Sequence, residues 1–228
     1  MTEHQRSHAH TEDRDHHRDL PDDAVTFWEE RYAGTAGIWS GRPNGALVDE
    51  VAGLAPGHAL DLGCGEGGDV LWLAARGWTV TGLDLSPTAL ARAGAAARGA
   101  ELADRVRLEV ADLASPTTWP GDGPYDLVTA CFLQTPLEFP RTEVLRRAAG
   151  LVATGGHLLV VAHAAPPPWS DVPPDRFDEF HPAERELADL ALDDAWEVLV
   201  AEDREREATG PDGRPGSLLD SVVRARRR

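Results

Sequence analysis

Lysine is absent from this chain, and all 22 of its basic residues are arginine. A Walker-type phosphate loop and a Schiff-base nucleophile both need a lysine amine, so those mechanisms are excluded. Cysteine is scarce too, with only Cys64 and Cys131, far apart in the chain. Two distant thiols supply neither a disulfide framework nor the close-set ligands of a zinc site, and they fit a reducing compartment. No metal site is expected. No apolar run approaches the roughly 18 residues that span a bilayer, and the first residues lack the basic-then-apolar pattern of a secretory signal. The expectation is therefore a cytoplasmic protein with no membrane partner. Positive charge is the minority sign: 22 basic against 39 acidic residues leave a net charge of −17. Affinity for a phosphate backbone rests on counterion release by Lys and Arg, so nucleic acid is not an expected partner, whereas a small molecule is.

What is present suits one α/β domain. The 228 residues, 42% of them hydrophobic, suffice for one such core with a modest extension. Residues 1–20 are polar and include His4, His8, His10, His16 and His17 without apolar periodicity, which predicts a disordered tail. The domain is expected over 21–228, with 21–57 as a lid or cap segment and 164–195 as a substrate loop and helix. A short amphipathic helix is predicted at 27–32, where Trp28 and Tyr32 share a face, and a second helix at 44–54.

Strands and helices then alternate. Strands are predicted at 58–62, 79–83, 106–110, 125–132 and 157–162, with helices at 67–76, from Pro87 to about residue 98, and at 141–152. Ser86-Pro87 provides an N-cap and a first-turn proline. A further helix is expected near 182–190. Two late strands, 196–202 and 218–225, flank the turn-rich stretch 209–216 and read as an antiparallel hairpin. The predicted fold is α/β: a Rossmann-like seven-stranded, mostly parallel sheet with a C-terminal antiparallel hairpin and helices on both faces.

The run Ala59-Leu-Asp-Leu-Gly-Cys-Gly-Glu-Gly-Gly-Asp-Val70 joins an apolar strand ending on an acid to a glycine-dense turn and a helix start. Without Cβ atoms the turn can lie directly against a ligand. The spacing alone also fits a dinucleotide fingerprint. Ligands in open α/β sheets sit at the carboxyl ends of the strands, so the strand ends discriminate. They read Asp61-Leu-Gly-Cys-Gly65, Asp84-Leu-Ser86, Ala111-Asp-Leu113 and Cys131-Phe-Leu-Gln134.

Together these segments resemble the class I S-adenosylmethionine-dependent methyltransferases, from about Phe27 to the C-terminus. An acid before the glycines is shared with that family, whereas typical NAD sites carry an apolar residue there. Tyr125-Asp-Leu-Val128 and the terminal hairpin complete the likeness. The resemblance implies S-adenosyl-L-methionine as cofactor. Asp61 would hold the methionyl ammonium, directly or through water, and Gly63 and Gly65 would let the backbone pass close. Asp84 would accept from both ribose hydroxyls. Asp112 would take the adenine amino group with Leu113 near the ring, although Asp112 reads equally well as a turn residue. Cys64, Leu85, Ala111 and Cys131 complete the cofactor-binding set.

Phe27-Trp-Glu-Glu-Arg-Tyr32 followed by Trp39-Ser-Gly-Arg-Pro-Asn44 is similar to the branch with tellurite-resistance and thiopurine methyltransferases, where this segment folds over the cofactor. Trp39 would then face the sulfonium and Arg42 the methionyl carboxylate, with Asn44 capping the next helix. Lid-to-core packing of Trp28 and Trp39 is the competing reading.

For the methyl acceptor, His163 at the end of the fifth strand is the first candidate for contact or base, or else a histidine that merely ends a strand. Gln134 is the second candidate; Tyr32, Trp169 and His181 follow. The partner is expected to be a small-molecule methyl acceptor. The branch favours a thiol or other soft nucleophile, with O- or N-methylation as the alternative. A non-catalytic cofactor sensor and an NAD-dependent oxidoreductase are the other classes. A monomer or homodimer is expected.

Overall fold

The computed structural model describes residues 23–34, 37, 41–119, 123–170, 179–210 and 213–228. The expected tail of residues 1–20 and Trp39 lie outside the described residues, as does part of the expected substrate loop. Strands β1 (His58–Leu62), β2 (Thr79–Asp84), β3 (Val106–Val110), β4 (Tyr125–Cys131), β5 (Val152–His163), β6 (Trp196–Thr209) and β7 (Pro215–Arg227) form one sheet in the order β3-β2-β1-β4-β5-β7-β6. The first five strands run parallel; β7 pairs antiparallel with both β5 and β6. The order reverses between β1 and β4, which makes their carboxyl ends the natural ligand crevice.

The helices are α1 (Ala24–Ala33), α2 (Gly45–Val51), α3 (Gly68–Ala75), α4 (Pro87–Gly99), α5 (Arg141–Gly150) and α6 (Ala183–Leu190). Central strands covered on both faces must be apolar throughout. Accordingly Leu60, Leu62, Leu127, Val128, Leu158, Leu159, Val160 and Val161 have at most 1% of their surface exposed. The side chains divide by strand period: Leu158 and Val160 join the core under α5 and α6, and Leu159 and Val161 the core under α2 and α3. Ser86 Oγ accepts the Ala89 N–H at 3.1 Å and caps α4, and Asn44 Oδ1 caps α2 through the Ala46 N–H at 2.8 Å. Among the described residues no helix is long and apolar enough to cross a membrane.

Several boundaries differ from the expected ones: α1 starts at Ala24 rather than at 27 and α2 ends at Val51 rather than at 54. Helix α5 stops at Gly150, and Val152 already pairs with Tyr125; the register then shifts between Tyr125 and Leu127. Gly156 makes this possible, since a Cβ there would lie 3.0 Å or less from the carbonyl oxygens of Tyr125, Asp126 and Ala153. The hairpin strands also extend further, to Thr209 and back from Pro215. The segment Asp203-Arg-Glu-Arg-Glu207 is charged at every position, so it shows no apolar alternation even though its backbone pairs along the whole length.

Candidate functional site

Three carboxylates converge on the glycine turn between β1 and α3. Asp61, 2% exposed, accepts the Thr129 hydroxyl at 2.7 Å. Asp84 ends β2 and receives the Gly65 N–H at 2.8 Å on one oxygen and the Ser86 N–H at 2.9 Å on the other. Asp69, in the first turn of α3, accepts the Asn44 N–H at 2.6 Å. Burial lifts the Asp61 carboxyl well above the ordinary carboxylate range, and the Asp69 charge, then Asp84, add to this against the Thr129 hydrogen bond. Burial also raises Asp69 and Asp84, more than their hydrogen bonds to backbone amides lower them. A cation set among them relieves all three at once.

Backbone access matches this electrostatic bias. Gly63 has a φ of 68°, a conformation that side-chain-bearing residues rarely take. A Cβ on Gly68 would stand 2.8 Å from the Arg42 carbonyl oxygen, so residues 41–44 form a strap across the start of α3. Arg42 itself is exposed. Asp112 is exposed and turns one oxygen to the Ala114 N–H at 2.9 Å, between the buried Ala111 and Leu113; Leu85 is half-buried. The Cys64 and Cys131 thiols are pushed well up, by burial first and then by the neighbouring carboxylates. Both are therefore protonated near neutral pH and are poor nucleophiles. Asp69, which the sequence reading missed, is the acid that follows the glycines inside the first helical turn.

Helix α1 closes the same edge. Glu29 accepts the Ser86 hydroxyl at 3.0 Å and the Thr88 N–H at 2.8 Å, so α1 sits on the start of α4 directly beyond Asp84. Arg92 links the two helices to the glycine turn, through the Tyr32 carbonyl at 2.9 Å and Glu66 at 2.7 Å. Tyr32 is buried, with Trp28 beside it at 6.1 Å between ring centroids. Farther along, Glu50 of α2 pairs with Arg204 at 2.6 Å and Arg224 at 3.0 Å on the hairpin.

Beyond β4 and β5 lies a second cluster. His163 Nδ1 is 3.1 Å from Asp220 Oδ1 on β7, and Arg206 of β6 donates to Asp220 Oδ2 at 2.6 Å. Gln134 bridges backbone: its Oε1 accepts the His163 N–H at 2.7 Å and its Nε2 donates to the Glu179 carbonyl at 2.8 Å. A cleft of about 440 Å³ opens beside it, lined by Gln134, Thr135, Leu137, Phe139, Arg141 and His181 among others. His181 is held down to about 4, by burial first and then by Arg141 and Arg185, with Asp189 opposing. Trp169 packs instead against Gly216 of the hairpin. Asp220 and Arg206 escaped the sequence reading; the available signal was one acid inside the apolar run of β7.

Comparison with known proteins agrees with this geometry. A family model described as a methyltransferase domain matches residues 60–158. The chain is 35% identical over 141 residues to the 2-heptyl-1-hydroxyquinolin-4(1H)-one methyltransferase of Mycobacteroides abscessus, covering 59% of this chain and 60% of that one. It is 37% identical over 118 residues to the 27-O-demethylrifamycin SV methyltransferase of Amycolatopsis mediterranei, covering 49% and 42%. The chain spans about half the length of the curated relatives it matches. A solved structure concerned with conversion of a disulfide bond into a thioacetal group during echinomycin biosynthesis superposes with a TM-score of 0.69. It shows 26% identity and covers 89% of this chain and 92% of its own.

Proposed function

The chain belongs to the class I S-adenosylmethionine-dependent methyltransferases, and from that premise we propose that it methylates a small-molecule acceptor held at the carboxyl ends of β4 and β5. The observation that carries this reading is the trio of carboxylates, buried Asp61 and Asp84 with half-buried Asp69, around a glycine turn open to a ligand. S-adenosylmethionine, when bound, supplies an electrophilic methyl group on a sulfonium and brings an ammonium as well. Asp61, oriented by Thr129, suits the ammonium. Asp84 keeps one lone pair on each oxygen after accepting the two backbone N–H groups, enough for two ribose hydroxyls. Asp112, with one oxygen in its turn, offers the other to an adenine amino group. The strap 41–44 and helix α1 serve as the cap over this edge.

Methyl transfer needs little more from the protein than an acceptor held in line and water kept away, so positioning supplies much of the rate. The family branch suggested by the N-terminal segment favours a soft acceptor, whereas one matched relative is named for a 27-O-demethylated substrate. A base that faces the acceptor separates these alternatives.

Isothermal titration with S-adenosylmethionine and with NAD tests the cofactor assignment. Micromolar binding of the former and none of the latter is expected; the reverse overturns the reading. Asp84→Asn is expected to weaken S-adenosylhomocysteine binding by about 1 to 3 kcal/mol, from charge-assisted hydrogen bonds lost to the ribose. Unchanged affinity removes Asp84 from the site. S-adenosylhomocysteine release across thiol, phenol and amine acceptors tests turnover, and tight binding with no turnover in any class would point to a sensor instead.

A further inference from the structure

The antiparallel register sets His163 of β5 opposite Asp220 of β7, and the surrounding contacts exceed what ending a strand requires. Asp220 is 5% exposed, takes His163 on Oδ1 and Arg206 chiefly on Oδ2 at 2.6 Å with a longer contact to Oδ1 at 3.4 Å, and is held below the ordinary carboxylate range because these partners outweigh burial. The imidazole is about one-third exposed and lies against the Phe132 ring, 4.5 Å between centroids. Phe132 has a φ of 55°, costly for a bulky side chain, and its N–H donates to the Val161 carbonyl at 2.7 Å. Such local strain gathers where a side chain must be aimed. The His163 backbone is clamped as well, its N–H by Gln134 and its carbonyl by the His181 N–H at 3.0 Å.

We propose that His163 is the general base for a hydroxyl acceptor of phenol type, and that Asp220, anchored by Arg206, is the positioning residue that fixes its tautomer. This rests on the methyl-transfer reading above and moves the acceptor from the soft nucleophile that the sequence suggests to oxygen. With Nδ1–H donated to Asp220, the lone pair stands on Nε2, the atom that takes a proton. An alkyl thiol such as cysteine, with a pKa of about 8.5, already ionises in part near neutral pH, and an aryl thiol more so, whereas a phenol at about 10 does not and gains from a base in the transition state. In the step, the acceptor proton passes to Nε2 and the oxygen forms the bond to the methyl carbon. The pair of the breaking sulfur–carbon bond stays on sulfur, and the imidazolium later releases its proton to water. A net charge of −17 also disfavours an acceptor that arrives as an anion.

The test has a spectroscopic arm and a kinetic arm. In the ligand-free protein, ring ¹⁵N correlations of His163 are expected to show the Nδ1–H tautomer. In Asp220→Asn the amide oxygen keeps the short Arg206 Nε contact, the longer one to Oδ1 is lost, and the amide N–H turns to Nδ1, so the Nε2–H form should take over. Rates are then measured on 1-naphthol and 1-naphthalenethiol. His163→Gln and Asp220→Asn are expected to lose about 100-fold on the naphthol and under about threefold on the thiol, with S-adenosylmethionine affinity unchanged. Arg206→Met, on the exposed side of the hairpin, is expected to lose roughly tenfold on the naphthol alone. Equal losses on both acceptors, an unchanged tautomer in Asp220→Asn, or a wild-type protein that methylates only the thiol would each overturn the proposal. Failure of the wild type to bind S-adenosylmethionine would instead remove the methyl-transfer reading on which it rests.

Discussion

His181 shows how a single side chain reports its surroundings. Its pKa falls from 6.5 to about 4, because burial and the nearby Arg141 and Arg185 oppose the charged form. A folded value below the unfolded one means that the unfolded chain binds the proton first. Stability is therefore intact above pH 6.5 and is lost as pH falls toward 4. Asp61, Asp69 and Asp84, raised in the folded state, act in the opposite sense and gain stability over an acid range. Urea unfolding between pH 7 and 5 isolates the histidine: His181→Gln is expected to lose less stability across that interval than the wild type. An identical slope would show that His181 takes no part. At this scale the acids at strand ends were legible, since they interrupt apolar runs. Gln134 was legible as a residue of interest, but its commitment to two backbone partners was not, because those partners lie far away in sequence.

Elements meet at the glycine turn, where the strap 41–44 crosses the start of α3. Gly68 has no room for a methyl group, with the Arg42 carbonyl oxygen 2.8 Å from the Cβ position, whereas Gly99 at the end of α4 has nothing within 4 Å. Gly68→Ala is expected to lower the unfolding free energy by about 1 to 3 kcal/mol through overpacking. Gly99→Ala should leave it unchanged or raise it by up to about 1 kcal/mol through reduced freedom of the unfolded chain. Equal effects in denaturant titrations would mean that the strap yields at no cost. Helix starts were readable from Asn44 and from Ser86-Pro87, since capping is a local property. The reach of β6 was not: its charged stretch 203–207 carries no period, and pairing with β7 decides its length.

The whole molecule carries a net charge of −17, and self-repulsion of that size favours expanded states. Monovalent salt screens repulsion between exposed charges over about 10 Å at 0.1 M. The melting temperature is therefore expected to rise as sodium chloride increases from low concentration to about 0.3 M. Ion pairs such as Glu50 with Arg204 and Arg224 weaken over the same range, so a falling melting temperature would show that attraction rather than repulsion dominates.

The sequence by itself determined the α/β class, the order of strands and helices, and the acids at the ends of β1, β2 and β3. These follow from local periodicity, capping and turn chemistry, which neighbouring residues impose on one another. Only the tertiary structure decided that Asp69 joins Asp61 and Asp84, that α1 rests on the start of α4, and that His163 meets Asp220 and Arg206. Those contacts come from strand order and antiparallel register. A one-residue slip in that register would move Asp220 to the other face of the sheet.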